Sequence, residues 1–197
     1  MSTPTGSSLA TSPDNRGGFL DPTASYFEIL GVKTAASDTE LAAQFRTLSR
    51  RFHPDRFAAA TAEIQDDALT STALVNDAYR TLKDPFTRAE YLLRRERSVK
   101  LGELRDSKPP KALFATVMEL QEALMEFQDG DESQRTHLEA AHVEFTEAYA
   151  ALKARLSQLF IAYDSGETEA ALDGMQEVAA TRGYLRRVLD NLDKTLG

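Results

Sequence analysis

The chain has 197 residues and a formal net charge of -8, and 42% of its residues are hydrophobic. This length and apolar content can form one large or two small folded domains, and no dense basic patch with stacking aromatics argues for a nucleic-acid partner. Because the chain contains no cysteine, disulfides, thiolate metal ligands and a catalytic thiol are excluded, which fits a reducing cytoplasm.

The first 23 residues are predicted to form a disordered leader, since they are rich in Ser, Thr, Pro and Gly. They lack the charged and hydrophobic regions of a secretory signal. No apolar run in the chain approaches the length of a membrane span. We therefore expect a cytoplasmic protein that acts neither at a membrane nor on nucleic acid.

A tripeptide, His53-Pro54-Asp55, separates the first two amphipathic helical patterns. The first pattern begins at a capping box made by Ser37 and Glu40. Proline disfavours the helical conformation of the residue before it, so the tripeptide is expected to form an exposed turn. The apolar positions of the first helix are Leu41, Phe45, Leu48 and Phe52, and those of the second are Ile64, Ala68, Thr72, Val75, Tyr79 and Leu82. The two helices are predicted to pack antiparallel, with the turn at the tip.

This region, residues 24–84, resembles the J-domain family of chaperone partners. The resemblance covers "YFEILGV" (Tyr26 to Val32), the helix from Asp38 to Phe52, the turn and the helix that ends near Lys83. It implies that the turn and the helix before it dock on an ATP-hydrolysing heat-shock chaperone and stimulate its ATPase. The implied stimulating turn is His53, Pro54 and Asp55, and the implied cationic docking face is Arg46, Arg50 and Arg51.

The residues alone leave a simpler alternative open for this basic face. Arg46 and Arg50 are four positions apart and point away from the apolar stripe, so they repel each other unless an acidic partner covers them. The alternative is a solvated basic face on a helical hairpin whose loop happens to contain His-Pro-Asp.

A domain boundary is predicted at Asp84-Pro85, where aspartate can cap a helix and proline suits its first position. Residues 85–110 are expected to form a connecting helix, which contains "RAEYLL", and a polar linker. Three apolar stripes of helical period follow in residues 111–197, which predicts an antiparallel three-helix bundle. The first stripe is Leu113, Val117, Leu120, Leu124 and Phe127. The second is Leu138, Ala141, Phe145, Ala148, Leu152, Leu159 and Tyr163, with Arg155 or Leu156 in the gap. The third is Ala171, Met175, Val178, Leu185, Leu189, Leu192 and Leu196, interrupted by Arg182. No segment has the period of a strand, so the fold is predicted to be all-α.

The first bundle helix carries a second apolar stripe, about 100° from its seam: Phe114, Met118 and Met125. Acidic residues beside it, Glu119 and Glu122, would give a docking patch for an apolar and basic partner. The alternative is that these residues simply widen the buried face of the helix.

The order of a J-domain, a "RAEYLL"-like segment and a C-terminal three-helix bundle resembles the HscB family of co-chaperones for iron-sulfur cluster assembly. The resemblance covers about residues 24–196. It implies two partners, the scaffold protein IscU on the bundle and the specialised chaperone HscA on the J-domain. The implied scaffold-binding residues are Phe114, Met118, Glu119, Glu122 and Tyr184. Ala115 stands where the family often has a larger apolar residue, which makes the patch smaller.

Two other classes of function compete with this interpretation. An enzyme is disfavoured, because glycine-rich phosphate loops are absent and His137 and His142 point about 140° apart on a helix. We therefore expect no metal site, no cofactor and no catalytic residue. A general J-domain co-chaperone that delivers unfolded clients remains the alternative, although the chain lacks a Gly/Phe-rich linker and zinc-binding cysteines.

Overall fold

The computed structural model describes residues 18–98 and 111–197, and all regular elements within these ranges are helical. The all-α prediction is therefore confirmed. The helices are α1 (Tyr26–Leu30), α2 (Asp38–Arg51), α3 (Ala62–Leu82), α4 (Pro85–Arg97), α5 (Lys111–Gln128), α6 (Arg135–Asp164) and α7 (Thr168–Leu196), with 3-10 turns at Pro54–Phe57 and Glu132–Gln134.

Local capping chemistry fixes the starts of the N-terminal helices. The predicted capping box at Ser37 and Glu40 is present at the start of α2. A second one, which the sequence analysis did not identify, begins α1: the Ser25 hydroxyl accepts from the Glu28 amide, and the Glu28 carboxylate accepts from the Ser25 amide at 2.8 Å. The hydrogen bonds that the Ser25 hydroxyl and the Ser25 amide donate to the Glu28 carboxylate lower the pKa of Glu28. Asp84 caps α4 as predicted, with Pro85 at its first position.

Helices α2 and α3 form an antiparallel hairpin. The Thr72 hydroxyl donates to the Phe52 carbonyl at 2.8 Å, and the ring of Phe45, further back on α2, stacks on Tyr79, further along α3. The core of this N-terminal lobe contains Ile29, Leu30, Leu41, Phe52, Val75, Ala78 and Leu82. Ile64 was predicted to join this stripe, but it is exposed on the first turn of α3, which begins at Ala62.

Part of the predicted leader belongs to this lobe. Phe19 and Leu20 pack on its core, so residues 18–23 are structured, contrary to the prediction. They are held by aromatic contacts that composition alone does not reveal. The predicted leader residues 1–17 lie outside the described residues.

A long antiparallel hairpin of α6 and α7 organises the C-terminal half. His142 meets Asp193 near one end and Tyr149 meets Arg182 further along. At Gly174 the two helices approach so closely that an added Cβ would lie 2.6 Å from a methyl carbon of Leu159. At 1.5 Å per residue, each helix is about 45 Å long.

Two separate cores lie along this hairpin. Helix α5 covers one half, around Leu138, Phe145 and Leu185. Helix α4 covers the other half, where its own apolar face packs on residues of both long helices: Leu156, Leu159, Phe160, Ala171, Leu172, Met175 and Val178. The predicted connecting helix therefore supplies the third helix for half of the bundle. In the predicted gap of the α6 stripe, Leu156 is buried and Arg155 is exposed.

Candidate functional site

The His-Pro-Asp turn is an ordered 3-10 turn with its acid facing solvent. His53 caps the turn: its Nδ1 accepts from the Asp55 amide at 3.3 Å, and its carbonyl accepts from the Arg56 amide at 3.0 Å. The Asp55 side chain is 90% exposed, and its carboxylate lies 3.5 Å from His53 Nδ1. An unprotonated Nδ1 is needed to accept the amide proton, which leaves the Asp55 carboxylate available to an external donor.

The base of the turn is anchored at Phe52, the residue that ends α2. Phe52 is buried, and its carbonyl accepts the hydroxyl proton of Thr72 on α3. Phe57 at the other end of the turn is half-buried. Exposed polar atoms thus stand on an apolar base, an arrangement suited to binding another protein through the turn.

The three arginines predicted to form the docking face do not form a single group. Arg46 and Arg50 are exposed and have no ion-pair partner among the described residues. The guanidinium of Arg51 instead donates to the Gly18 carbonyl at 3.0 Å and lies 5.1 Å from the ring centroid of Phe52. Arg56 was not among the predicted docking residues, although it directly follows the tripeptide, and its side chain is exposed.

The predicted apolar patch on α5 is exposed wherever its side chains are described. Met118 and Met125 are 52% and 66% exposed. Glu119 and Glu122 are also exposed, while the adjacent seam of the helix is buried: Val117, Leu120, Ala123 and Leu124. The described methionines therefore lie outside the core, and a solvated acidic rim borders them.

The other predicted members of this surface differ from the methionines. The side chain of Phe114 lies outside the described residues, and Ala115 is exposed. Tyr184 is half-buried against the α5 core, and this burial raises its pKa. Tyr184 thus packs against the core that α5 covers and presents only part of its ring.

Arg88 joins the two lobes and was not identified from the sequence. Its side chain is only 4% exposed, and it donates to the carbonyls of Leu82 at 2.8 Å, Thr34 at 3.0 Å and Ala36 at 2.9 Å. Its guanidinium lies 5.1 Å from the ring centroid of Phe160 on α6. Burial lowers its pKa, yet an arginine remains charged at neutral pH.

A carboxylate from α6 holds the same loop from the other side. Asp164 accepts hydrogen bonds from the amide and hydroxyl of Thr34, and from the Ala35 amide at 2.8 Å. The loop between α1 and α2 is thereby bound to both α4 and α6. The N-terminal lobe consequently has a defined position on the long hairpin.

Three ion pairs extend the contact between α4 and α7. Arg182, which interrupts the predicted α7 stripe, pairs with Glu90 at 3.1 Å. Arg97 pairs with Glu169 and Asp173, both at 2.7 Å, and hydrogen bonds to these carboxylates raise its pKa. The polar interruption in the apolar stripe therefore has a structural partner on α4.

The histidines and acids of the described ranges do not assemble a metal site. His142 is half-buried rather than a free surface residue, and its Nε2 lies 2.8 Å from a carboxylate oxygen of Asp193. Within residues 18–98 and 111–197, no three His, Cys, Asp or Glu side chains are grouped so that they could hold a metal ion. In the same part of the chain, no helix combines the length and apolar character needed to cross a membrane.

Two family models match the two halves of the chain. The DnaJ domain matches residues 25–91, and the HSCB C-terminal oligomerisation domain matches residues 109–193. Proteins named Co-chaperone protein HscB homolog are similar over most of the length. The one from Photobacterium profundum is 34% identical over 79% of this chain and 87% of its own. The one from Shewanella baltica is 33% identical over 85% of this chain and 98% of its own.

Solved structures agree with these relationships. HscB from Vibrio cholerae superimposes with a TM-score of 0.55 at 29% identity, covering 87% of this chain and 96% of that one. Human HscB superimposes with a TM-score of 0.58 over 94% of this chain and 91% of that one, and its 21% identity supports the fold alone. From its matched domains and its relatives, the chain belongs to the HscB family of J-domain co-chaperones.

Proposed function

We propose that this protein is a co-chaperone of iron-sulfur cluster assembly in the cytoplasm. In this proposal, the J-domain (residues 24–84) binds an HscA-type heat-shock chaperone and stimulates its ATPase. The bundle domain (residues 111–197) binds the scaffold IscU and delivers it to that chaperone. The protein itself is a regulator rather than an enzyme, in keeping with the family to which it belongs.

The exposed Asp55 carboxylate on its ordered turn is the observation that carries the proposal. It has solvent on nearly all sides, so it is available to hydrogen-bond donors of a partner. The two unpaired arginines of α2, Arg46 and Arg50, lie one helical turn apart and add positive charge to the same helix. A chaperone with an acidic docking surface would therefore be attracted and oriented by charge, and then contacted by the turn.

The surface of α5 supports binding of a folded scaffold. Its two exposed methionines are flexible and apolar, and such side chains adapt well to an apolar partner surface. The acidic rim at Glu119 and Glu122 favours a partner that also carries basic residues. These features favour IscU, as the family resemblance implies, over an unfolded chain, which would need a longer apolar groove.

The joint between the lobes supports coupling of the two binding events. The buried Arg88 and the carboxylate of Asp164 hold the loop between α1 and α2 on the bundle. A scaffold on α5 would consequently be presented at a defined position relative to the turn. Coupling of this kind is a free energy shared between two sites, so both domains are required in one chain.

The proposal is tested by ATPase assays with an HscA-type chaperone, with IscU or an unfolded polypeptide as the client. The wild-type protein should stimulate ATP hydrolysis, and most strongly with IscU. Asp55→Ala should abolish stimulation without changing helicity or the melting temperature, since an exposed loop carboxylate contributes little to stability. Asp66→Ala, which removes another exposed acid of the same lobe, is the matched control and should stimulate normally.

Two results would contradict this assignment. Normal stimulation by Asp55→Ala would exclude the turn as the activating element. Equal enhancement by an unfolded polypeptide and by IscU would favour the general J-domain co-chaperone over the scaffold-specific one.

A further inference from the structure

The segment just before α1 reaches the base of the His-Pro-Asp turn. The Phe19 ring lies 6.1 Å from the ring of Phe52 and 5.5 Å from the ring of Phe57, measured between centroids. Phe52 directly precedes the tripeptide, and Phe57 is the last residue of the 3-10 turn. One ring from the N-terminal segment thus contacts both ends of the turn.

Two hydrogen bonds hold this segment in place. The Arg51 guanidinium donates to the Gly18 carbonyl at 3.0 Å. The Leu20 amide donates at 3.2 Å to the hydroxyl of Ser71, which is buried on α3. The segment is therefore attached to both helices of the hairpin. It also lies before residue 25, where the match to the DnaJ domain begins, so the matched domain does not supply it.

The turn has few constraints of its own. Its backbone is closed by the hydrogen bonds that the amides of Asp55 and Arg56 give to His53. Solvent-exposed turns with so few bonds open locally at low free-energy cost. Packing of Phe57 against Phe19 opposes that opening, because the end of the turn must lose a ring contact before it can move.

We propose that Phe19 is a positioning residue for the His-Pro-Asp turn: its ring, held between Phe52 and Phe57, keeps the turn in the conformation that exposes Asp55. The effect on the partner chaperone rests on the proposed function, whereas the effect on the turn itself does not. The residue acts through its neighbours and need not touch the chaperone.

Amide hydrogen exchange on the full-length protein tests the effect on the turn directly. In Phe19→Ala, the amides of Asp55 and Arg56 should exchange about 2- to 13-fold faster, as expected for the loss of the ring pair between Phe19 and Phe57. Phe19→Tyr keeps the ring and should restore wild-type exchange. Tyr91→Ala is the matched control. This substitution also removes an aromatic ring, which stacks on Tyr26. Tyr91 belongs to α4, which follows the C-terminal end of α3, whereas the His-Pro-Asp turn precedes the N-terminal end of α3.

Chaperone assays test the functional consequence. Phe19→Ala should lower the maximal ATPase stimulation at least threefold, while the half-saturating concentration changes less than twofold, because the arginines of α2 remain in place. A general loss of protein stability would not lower the maximal stimulation while leaving the half-saturating concentration nearly unchanged. Phe19→Tyr should recover the maximum, and Tyr91→Ala should keep it at temperatures where it is folded.

Unchanged exchange at Asp55 and Arg56 in Phe19→Ala would overturn the inference, as would equal acceleration of these amides in Tyr91→Ala. These outcomes are distinct from failure of the proposed function. If the wild-type protein stimulates no HscA-type chaperone, the proposed function fails, and exchange alone decides the role of Phe19. If it stimulates but Phe19→Ala changes neither readout, the inference fails and the proposed function stands.

Discussion

Replacement of both exposed methionines of α5 by serine should separate scaffold binding from folding. Met118 and Met125 are 52% and 66% exposed, so each has about half of its side chain available for burial in an interface. Full burial of a methionine contributes about 1.5 to 3 kcal/mol, so the available parts contribute about 1.8 to 3.5 kcal/mol together. Binding to IscU should accordingly weaken about 20- to 400-fold. The free energy of unfolding should fall by less than about 1 kcal/mol per site, because only about a third to a half of either side chain is packed.

Leu120→Ser on the same helix is the matched control, since Leu120 is only 3% exposed. It should cost about 3 kcal/mol or more in unfolding free energy, from a cavity and a buried hydroxyl. For a chain of this size that corresponds to a melting temperature lowered by about 6 to 12 °C. Titration calorimetry with purified IscU and thermal melting give the two readouts. Wild-type affinity in the double methionine variant would refute the docking surface, and so would an affinity loss matched by an equal loss of stability.

Two further predictions concern arginines. Arg46→Glu with Arg50→Glu should weaken association with the chaperone about tenfold at low salt, and the difference should shrink as salt is raised, because exposed charges are screened beyond about 10 Å at 0.1 M. Arg186→Glu on α7 should leave this association unchanged, and a salt-independent wild-type affinity would argue against charge-guided docking. Arg88→Met should lower the unfolding free energy by about 3 to 5 kcal/mol in urea titrations, because three carbonyls lose their donor. The exposed Arg94→Met should change it by about 0.5 kcal/mol or less, and a cost below about 1 kcal/mol for Arg88→Met would refute its role in the joint.

The features that could be predicted from the sequence depend on neighbouring residues. The capping box at Ser37 and the Asp84-Pro85 helix start involve groups within three or four positions. The end of α2 before the turn follows from the restriction that Pro54 places on the residue before it. In each case local geometry determines the outcome.

The features that could not be predicted depend on which elements meet in space. A heptad pattern marks one face of α6 and α7, but it does not indicate which helices cover that face. In the structure, α4 covers one half of the α6–α7 hairpin and α5 covers the other half. A composition rich in Ser, Thr, Pro and Gly gave no sign that Phe19 inserts between two rings of the hairpin. The contact between His142 and Asp193 joins residues 51 positions apart, so no local pattern in the sequence indicates it.

The contacts of Arg88 could not be predicted from the sequence either. Its acceptors are main-chain carbonyls, which every residue type provides, so no complementary side chain in the sequence points to the contact. The joint it forms connects the lobe that carries the turn at Asp55 to the long hairpin that α5 and Met118 pack on. Changes at either of those surfaces should impair one partner and spare the other. A change at Arg88 or Asp164 would instead alter how the two partners are placed relative to each other, and would impair delivery while each separate binding event persists.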